Sequence, residues 1–180
     1  MLMRLRTLAC LLLTVPAALS AQNAAPARIP ELHAASFSGA QVDLPQALRG
    51  HTGVLLVSFS QSARDNVTAW FRRLAGDYRN SPTVLYYALP DIAGAPGFLR
   101  GAIVKKVKES VSAPAQPRFV PILEQDDAWK AAAGFNKHDE SGVFILLVDG
   151  SGTIRDRIVV GGLTDQGYAD LKQKVDRITP

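Results

Sequence analysis

The sequence predicts an α/β domain in three layers, a mixed β-sheet with helices on both faces. Three observations predict it. Val54–Phe59 and Val143–Val148 are continuous apolar runs rich in β-branched residues, the pattern of central strands buried on both sides. The first run is followed by an amphipathic helical pattern and another strand, a unit that requires a right-handed crossover and parallel pairing. The second run ends at Asp149-Gly150-Ser151-Gly152, a tight turn that returns an antiparallel partner.

The elements follow in order. Arg4 and Arg6 precede an apolar stretch and the small residues Ala17 to Ala21, which reads as a secretory signal over residues 1–21. Residues 22–35, with Pro26 and Pro30 among small residues, read as a linker to a single domain over 36–180. After the strand at Val54, the residues Val67, Trp70, Phe71, Leu74 and Tyr78 recur at helical spacing and form one apolar face. Ser62 is the expected N-cap of that helix, with Asp65 three residues on in a capping-box position. Asn80-Ser81-Pro82 ends it, and Thr83–Leu89 is the next strand.

A loop with two prolines and two glycines, Pro90–Gly97, leads to a helix over Phe98–Val111 with Leu99, Ile103 and Val107 on one face. Arg100, Lys105, Lys106 and Lys108 make its other side basic. That side reads as a solvated face, with an acidic partner or an anionic membrane surface as the sharper alternative. Beyond a Pro/Ala loop and a short extended piece, Asp126 or Asp127 is placed to cap a short helix through Trp129, closed by Gly134. Trp129 has few apolar neighbours in sequence; exposure as an interface anchor is the alternative, and packing is the expected role. After the hairpin, Gly161-Gly162 breaks the strand, Thr164 caps, and Tyr168, Leu171, Val175 and Ile178 line a final helix.

Composition limits the function classes. The chain of 180 residues is 47% hydrophobic and 20% charged, with a formal net charge of +4. It has no dense Lys/Arg stripe of the kind that tracks a phosphate backbone, so nucleic acid is not an expected partner. The one cysteine, Cys10, lies in the signal-like segment, so the mature chain would offer no thiolate and no disulfide. His33, His51 and His138 lack metal-ligand spacing, and no metal or cofactor is expected.

The layout resembles exported thioredoxins and peroxiredoxins. Phe37, Gly39, Val42, Leu44, Leu48 and Gly50 look like the small hairpin before their first central strand, and Val143–Gly152 looks like their strand with its Asp-x-x-Gly turn. The resemblance implies a thioredoxin-like three-layer sandwich. Redox-active relatives carry Cys-x-x-Cys at the start of the first long helix, where the helix dipole stabilises a thiolate. Laid gaplessly from Phe59, those positions hold Arg64 and Val67. The cis-proline position of the relatives, counted back from Asp149, holds Val143.

A closer likeness is to the mitochondrial ATP synthase assembly factor family and its bacterial relatives. It is carried by Gly142–Asp149, Thr153-Ile154-Arg155, the glycine pair before the last helix, and Trp70. That resemblance implies assembly of a membrane complex rather than catalysis. The expectation is an exported, periplasmic or secreted, redox-inactive chain that is not an enzyme and binds a protein client, with the membrane surface as a further contact. The groove at the start of the first long helix is the candidate partner site, formed by Ser60, Gln61, Ser62, Arg64, Asp65, Gly142 and Val143. The alternatives for the same groove are a non-thiol enzyme and a small-ligand carrier.

Overall fold

The computed structural model describes residues 27–179. The expected signal segment and the start of the expected linker lie outside them. The remainder of that stretch is not all linker. Leu32–Ala35 forms strand β1, which pairs antiparallel with β2, Gln41–Leu44. Alternation decides this: Leu32 and Ala34 are buried while His33 and Ala35 are exposed, so one face of the hairpin covers core. The ordered domain therefore begins before residue 36.

The main sheet has four strands: β3 (Thr52–Ser58), β4 (Val84–Pro90), β5 (Val143–Val148) and β6 (Ile154–Val160), in the order β4-β3-β5-β6. β3 and β4 run parallel, and β5 is antiparallel to both β3 and β6. Every residue of β3 and of β5 is buried, as their unbroken apolar runs require. Phe119 and Ile122 extend the parallel edge through single bridges to Ala88 and Asp91.

One face of the sheet carries Val54, Leu56, Ile145 and Leu147 against helices α1 (Arg64–Tyr78) and α4 (Asp165–Ile178). The predicted inner face of α1 is all buried: Val67, Trp70, Phe71, Leu74 and Tyr78. Thr164 caps α4 as expected, its hydroxyl accepting from the Gly167 amide at 3.0 Å. The other face carries Leu55, Val57, Phe144 and Leu146 against the β1–β2 hairpin and helix α3 (Asp126–Ala133).

Three sequence expectations change. Ser62 does not cap α1: a 3-10 turn over Gln61–Ala63 precedes the helix, and its N-terminal position is Ala63 with no side-chain cap. The tighter turn satisfies backbone groups that a capping side chain would otherwise serve. Neither Asp126 nor Asp127 caps α3. Gln125 holds that place in a left-handed conformation at φ 60°, and both aspartates lie in the first turn. Trp129 is packed as expected and fully buried; its neighbours come from the sheet and hairpin, which are remote in sequence. Helix α2 (Gly97–Ser110) has no buried residue, and Leu99 on its apolar face is 42% exposed.

Candidate functional site

The start of α1 sits where a parallel strand ends, the usual ligand position in an open α/β sheet. Here that end is tied down by hydrogen bonds. The Ser60 hydroxyl donates to the Glu140 carbonyl at 2.6 Å. Ser60 and Ser62 hydroxyls stand 2.7 Å apart, and since the Ser60 proton is committed, Ser62 is the donor between them. Asn66 Nδ2 donates to Ser141 O at 3.2 Å, and Trp70 Nε1 donates to Gly161 O at 3.0 Å. These bonds fasten the first turns of α1 to the loops on either side of the β5–β6 hairpin.

The expected groove residues therefore separate. Val143 is buried as the first residue of β5. Gly142 is also buried, and a Cβ there would stand 3.0 Å from Asp139 O and 3.2 Å from Val159 Cγ1. Both are buried, so neither offers a surface to a partner. Ser62 and Asp65 are exposed. Ser60, Gln61 and Arg64 instead line a cavity on the far side of α1, between α1 and α2. It has a volume of about 220 Å³ and a floor that includes Val67, Ile92, Val107 and Phe119.

Among the described residues, neither an imidazole nor a carboxylate hydrogen-bonds the Ser62 hydroxyl. His33 pairs with Asp43 at 3.0 Å on the β1–β2 hairpin, His51 Nδ1 meets Arg49 O at 2.9 Å, and His138 lies in the loop before β5. No carboxylate stands within ion-pair distance of Arg64 among the described residues, and no three potential metal ligands converge there. The chain passes through Gly142 into Val143 at the start of β5, and among the described residues the cis X-Pro bond is Leu44–Pro45.

One charged cluster was not anticipated. Asp91 follows β4 and its carboxyl accepts from the Ala93 amide at 2.9 Å. It faces Asp126, whose Oδ2 accepts from Lys130 at 2.8 Å and whose Oδ1 is buried with no hydrogen-bond partner among the described residues. Two neighbouring carboxyls away from water favour a proton on one of them. Burial, then the neighbouring Asp126 carboxyl, raises Asp91 to about 7, while Asp91 and Lys130 hold Asp126 below the usual carboxylate range. Its position at the end of a parallel strand was the signal available in the sequence. Arg100, counted there as part of a free basic face, is a clasp instead: it donates to Ala95 O, Leu123 O and Ala93 O at 2.9, 3.1 and 2.6 Å.

The Asp91–Asp126 pair gives a pH prediction. The folded state holds a proton on Asp91 that the unfolded chain releases near its ordinary value of 3.8. The stabilisation is thus full below about 4 and fades as pH rises through about 7. Urea unfolding at pH 5 and pH 8 should show wild-type stability falling across that window. Asp91→Asn, which keeps a donor without titrating, should flatten the slope; an unchanged slope would remove Asp91 as its source.

Known structures agree with the architecture. The pneumococcal exposed lipoprotein thioredoxin of Streptococcus pneumoniae matches with a TM-score of 0.59 and 11% identity, over 83% of this chain and 100% of that one. The fold is thioredoxin-like. A thioredoxin domain of a thiol-disulfide oxidoreductase from Bacteroides vulgatus matches with a TM-score of 0.55 and 15% identity, over 84% of this chain and 98% of that one. No protein-family model matches the chain, and no curated protein matches it by sequence. The thioredoxin-like scaffold here holds Arg64, half-buried, and Val67, buried, one helical turn apart on α1. The mechanism of thiol-disulfide exchange needs a thiolate that attacks and a second sulfur that resolves the mixed disulfide. Neither side chain can do either.

Proposed function

We propose that the chain is an exported, redox-independent binding module on a thioredoxin-like scaffold, which holds or helps assemble a protein client. The observation that carries this reading is the start of α1. The two positions one turn apart hold Arg64 and Val67, and hydrogen bonds from Ser60, Asn66 and Trp70 occupy the surrounding loop carbonyls. Export is supported by the order of basic, apolar and small residues over 1–21. The likeness of Gly142–Asp149 and Thr153-Ile154-Arg155 to ATP synthase assembly factors makes a membrane-complex subunit the client class to test first. A non-thiol enzyme would need a base within reach of Ser62, and the hydroxyl is spent on Ser60.

The purified chain should leave insulin disulfides unreduced and peroxide unconsumed, at the rate of a buffer blank. Crosslinking in its native envelope, followed by mass spectrometry, should capture a protein client, with ATP synthase subunits the outcome that favours the assembly role. Turnover of either redox substrate would overturn the reading.

A further inference from the structure

The cavity between α1 and α2 does not end at α2. A second concavity of about 490 Å³ adjoins it, and Thr68, Ser110, Val111 and Phe119 line both. The two adjoining concavities are bordered by α1 and by the segment from 112 to 119, and are treated as one channel. Its floor is apolar, with Val67, Phe71, Val107, Val111 and Phe119.

Its walls are cationic. Arg64 and Lys106 line the first part, and Arg72, Arg79 and Arg118 the second. Arg64 and Arg72 fall at i and i+8 on one stripe of α1, so their side chains follow the channel axis. None of these cations makes an ion pair among the described residues. Arg118 is held over the rings of Tyr86 and Tyr87, at 5.3 and 5.2 Å from their centroids. The one carboxylate residue in either lining is Asp91, and its carboxyl is engaged with Ala93 and Asp126. A second feature points into the first cavity. Ser58 is 7% exposed and lines it. Val54 and Leu56 face α1, and strand alternation puts Ser58 on that same side.

We propose that this channel binds an extended acidic peptide segment of the client, with an apolar side chain seated in the cavity between α1 and α2 and carboxylates against the flanking arginines and Lys106. This rests on the binding-module reading and supplies its partner chemistry. The dimensions agree. From Arg64 to Arg79 the helical rise is about 22 Å, at about 1.5 Å per residue. An extended strand covers that in about seven residues at about 3.3 Å each. The cavity exceeds the roughly 150 Å³ that admits a benzene ring in an apolar core, enough for a Leu or Phe side chain. A peptide fits better than a nucleic-acid strand, because Phe71 and Phe119 are buried in the floor and present no open ring for bases to stack on.

The test is selection of a displayed random-peptide library on the full chain, followed by anisotropy of the enriched peptide carrying a dye. Enriched sequences should place Asp or Glu around Leu or Phe. The triple variant Arg72→Gln/Arg79→Gln/Lys106→Gln should weaken binding at least about tenfold, and added salt should weaken the wild-type complex. Lys105→Gln/Lys108→Gln, which removes exposed charge outside the channel, should change affinity less than about twofold. Enrichment of basic or neutral peptides, no enrichment, or equal binding of a single-stranded DNA oligonucleotide would overturn the proposal. Acidic peptides indifferent to the triple variant would overturn the location and leave the binding-module reading standing; only redox turnover removes that reading.

Discussion

Trp129→Ala is expected to destabilise the domain by about 3–5 kcal/mol, the range for truncating a large aromatic in a packed core. The indole is fully buried between α3 and the sheet face that carries Leu55, Val57, Phe144 and Leu146. Helix α3 has 8 residues, too few to persist without tertiary packing, so loss of its anchor removes more than transfer free energy. Trp129 Nε1 is buried with no acceptor among the described residues. Trp129→Phe therefore discards an unsatisfied donor while keeping most of the apolar volume, and should cost well under half as much. Urea unfolding followed by circular dichroism measures both. Equal losses for the two variants would mean that the indole N–H is satisfied in solution.

The second large effect is expected at Asp149, in the turn between β5 and β6. Its carboxylate accepts from the Ser151 amide at 2.9 Å, the Ser151 hydroxyl at 2.7 Å, the Thr153 amide at 3.1 Å and Arg155 Nε at 2.8 Å. Burial alone would raise this carboxyl; the bonds from Ser151, Thr153 and Arg155 outweigh it and lower it to about 2. Asp149→Ala should cost about 2–3 kcal/mol at pH 7, since charge-assisted hydrogen bonds are lost and two turn amides go unpaired. The folded value lies below the ordinary 3.8, so the stabilisation is present above about 4 and disappears as pH falls towards 2. The gap between wild type and Asp149→Ala should therefore close on acidification. A gap that is constant from pH 7 to pH 2 would assign the cost to turn geometry alone.

Most of the scaffold was legible in the sequence. The strands at Val54 and Val143 announced themselves by unbroken apolar runs, and α1 by five apolar residues at helical spacing, all of which are buried. The cap at Thr164 was legible because capping is a contact between near neighbours. Ser62 satisfied the same local rule and failed as a cap, because Ser60 recruited its hydroxyl while itself bonding Glu140, a residue far along the chain. Leu99 obeyed the helical period, yet it is 42% exposed on a helix that buries none of its residues.

The candidate site was legible in part. Arg64 and Val67 could be placed by counting from Phe59, and the missing sulfur needed no structure at all. Ser60, Gln61 and Arg64 do line a cavity, whereas Gly142 and Val143 are buried. The channel flanked by Arg72, Arg79 and Arg118 was not foreseeable. Its walls come from α1, α2 and the 112–119 segment, and no spacing within one element reports how far apart two elements stand.

By itself the sequence determined the thioredoxin-like order of strands and helices, and the lack of any thiol beyond Cys10. Both follow from covalent facts: side-chain type, and periodicity along one chain. Tertiary structure alone decided which polar groups are free. It closed the start of α1 with bonds to Glu140, Ser141 and Gly161, brought Asp91 to Asp126, and left the cations along α1 without acidic partners. Hydrogen bonds and ion pairs act over a few ångströms, and only folding brings residues this distant in sequence that close.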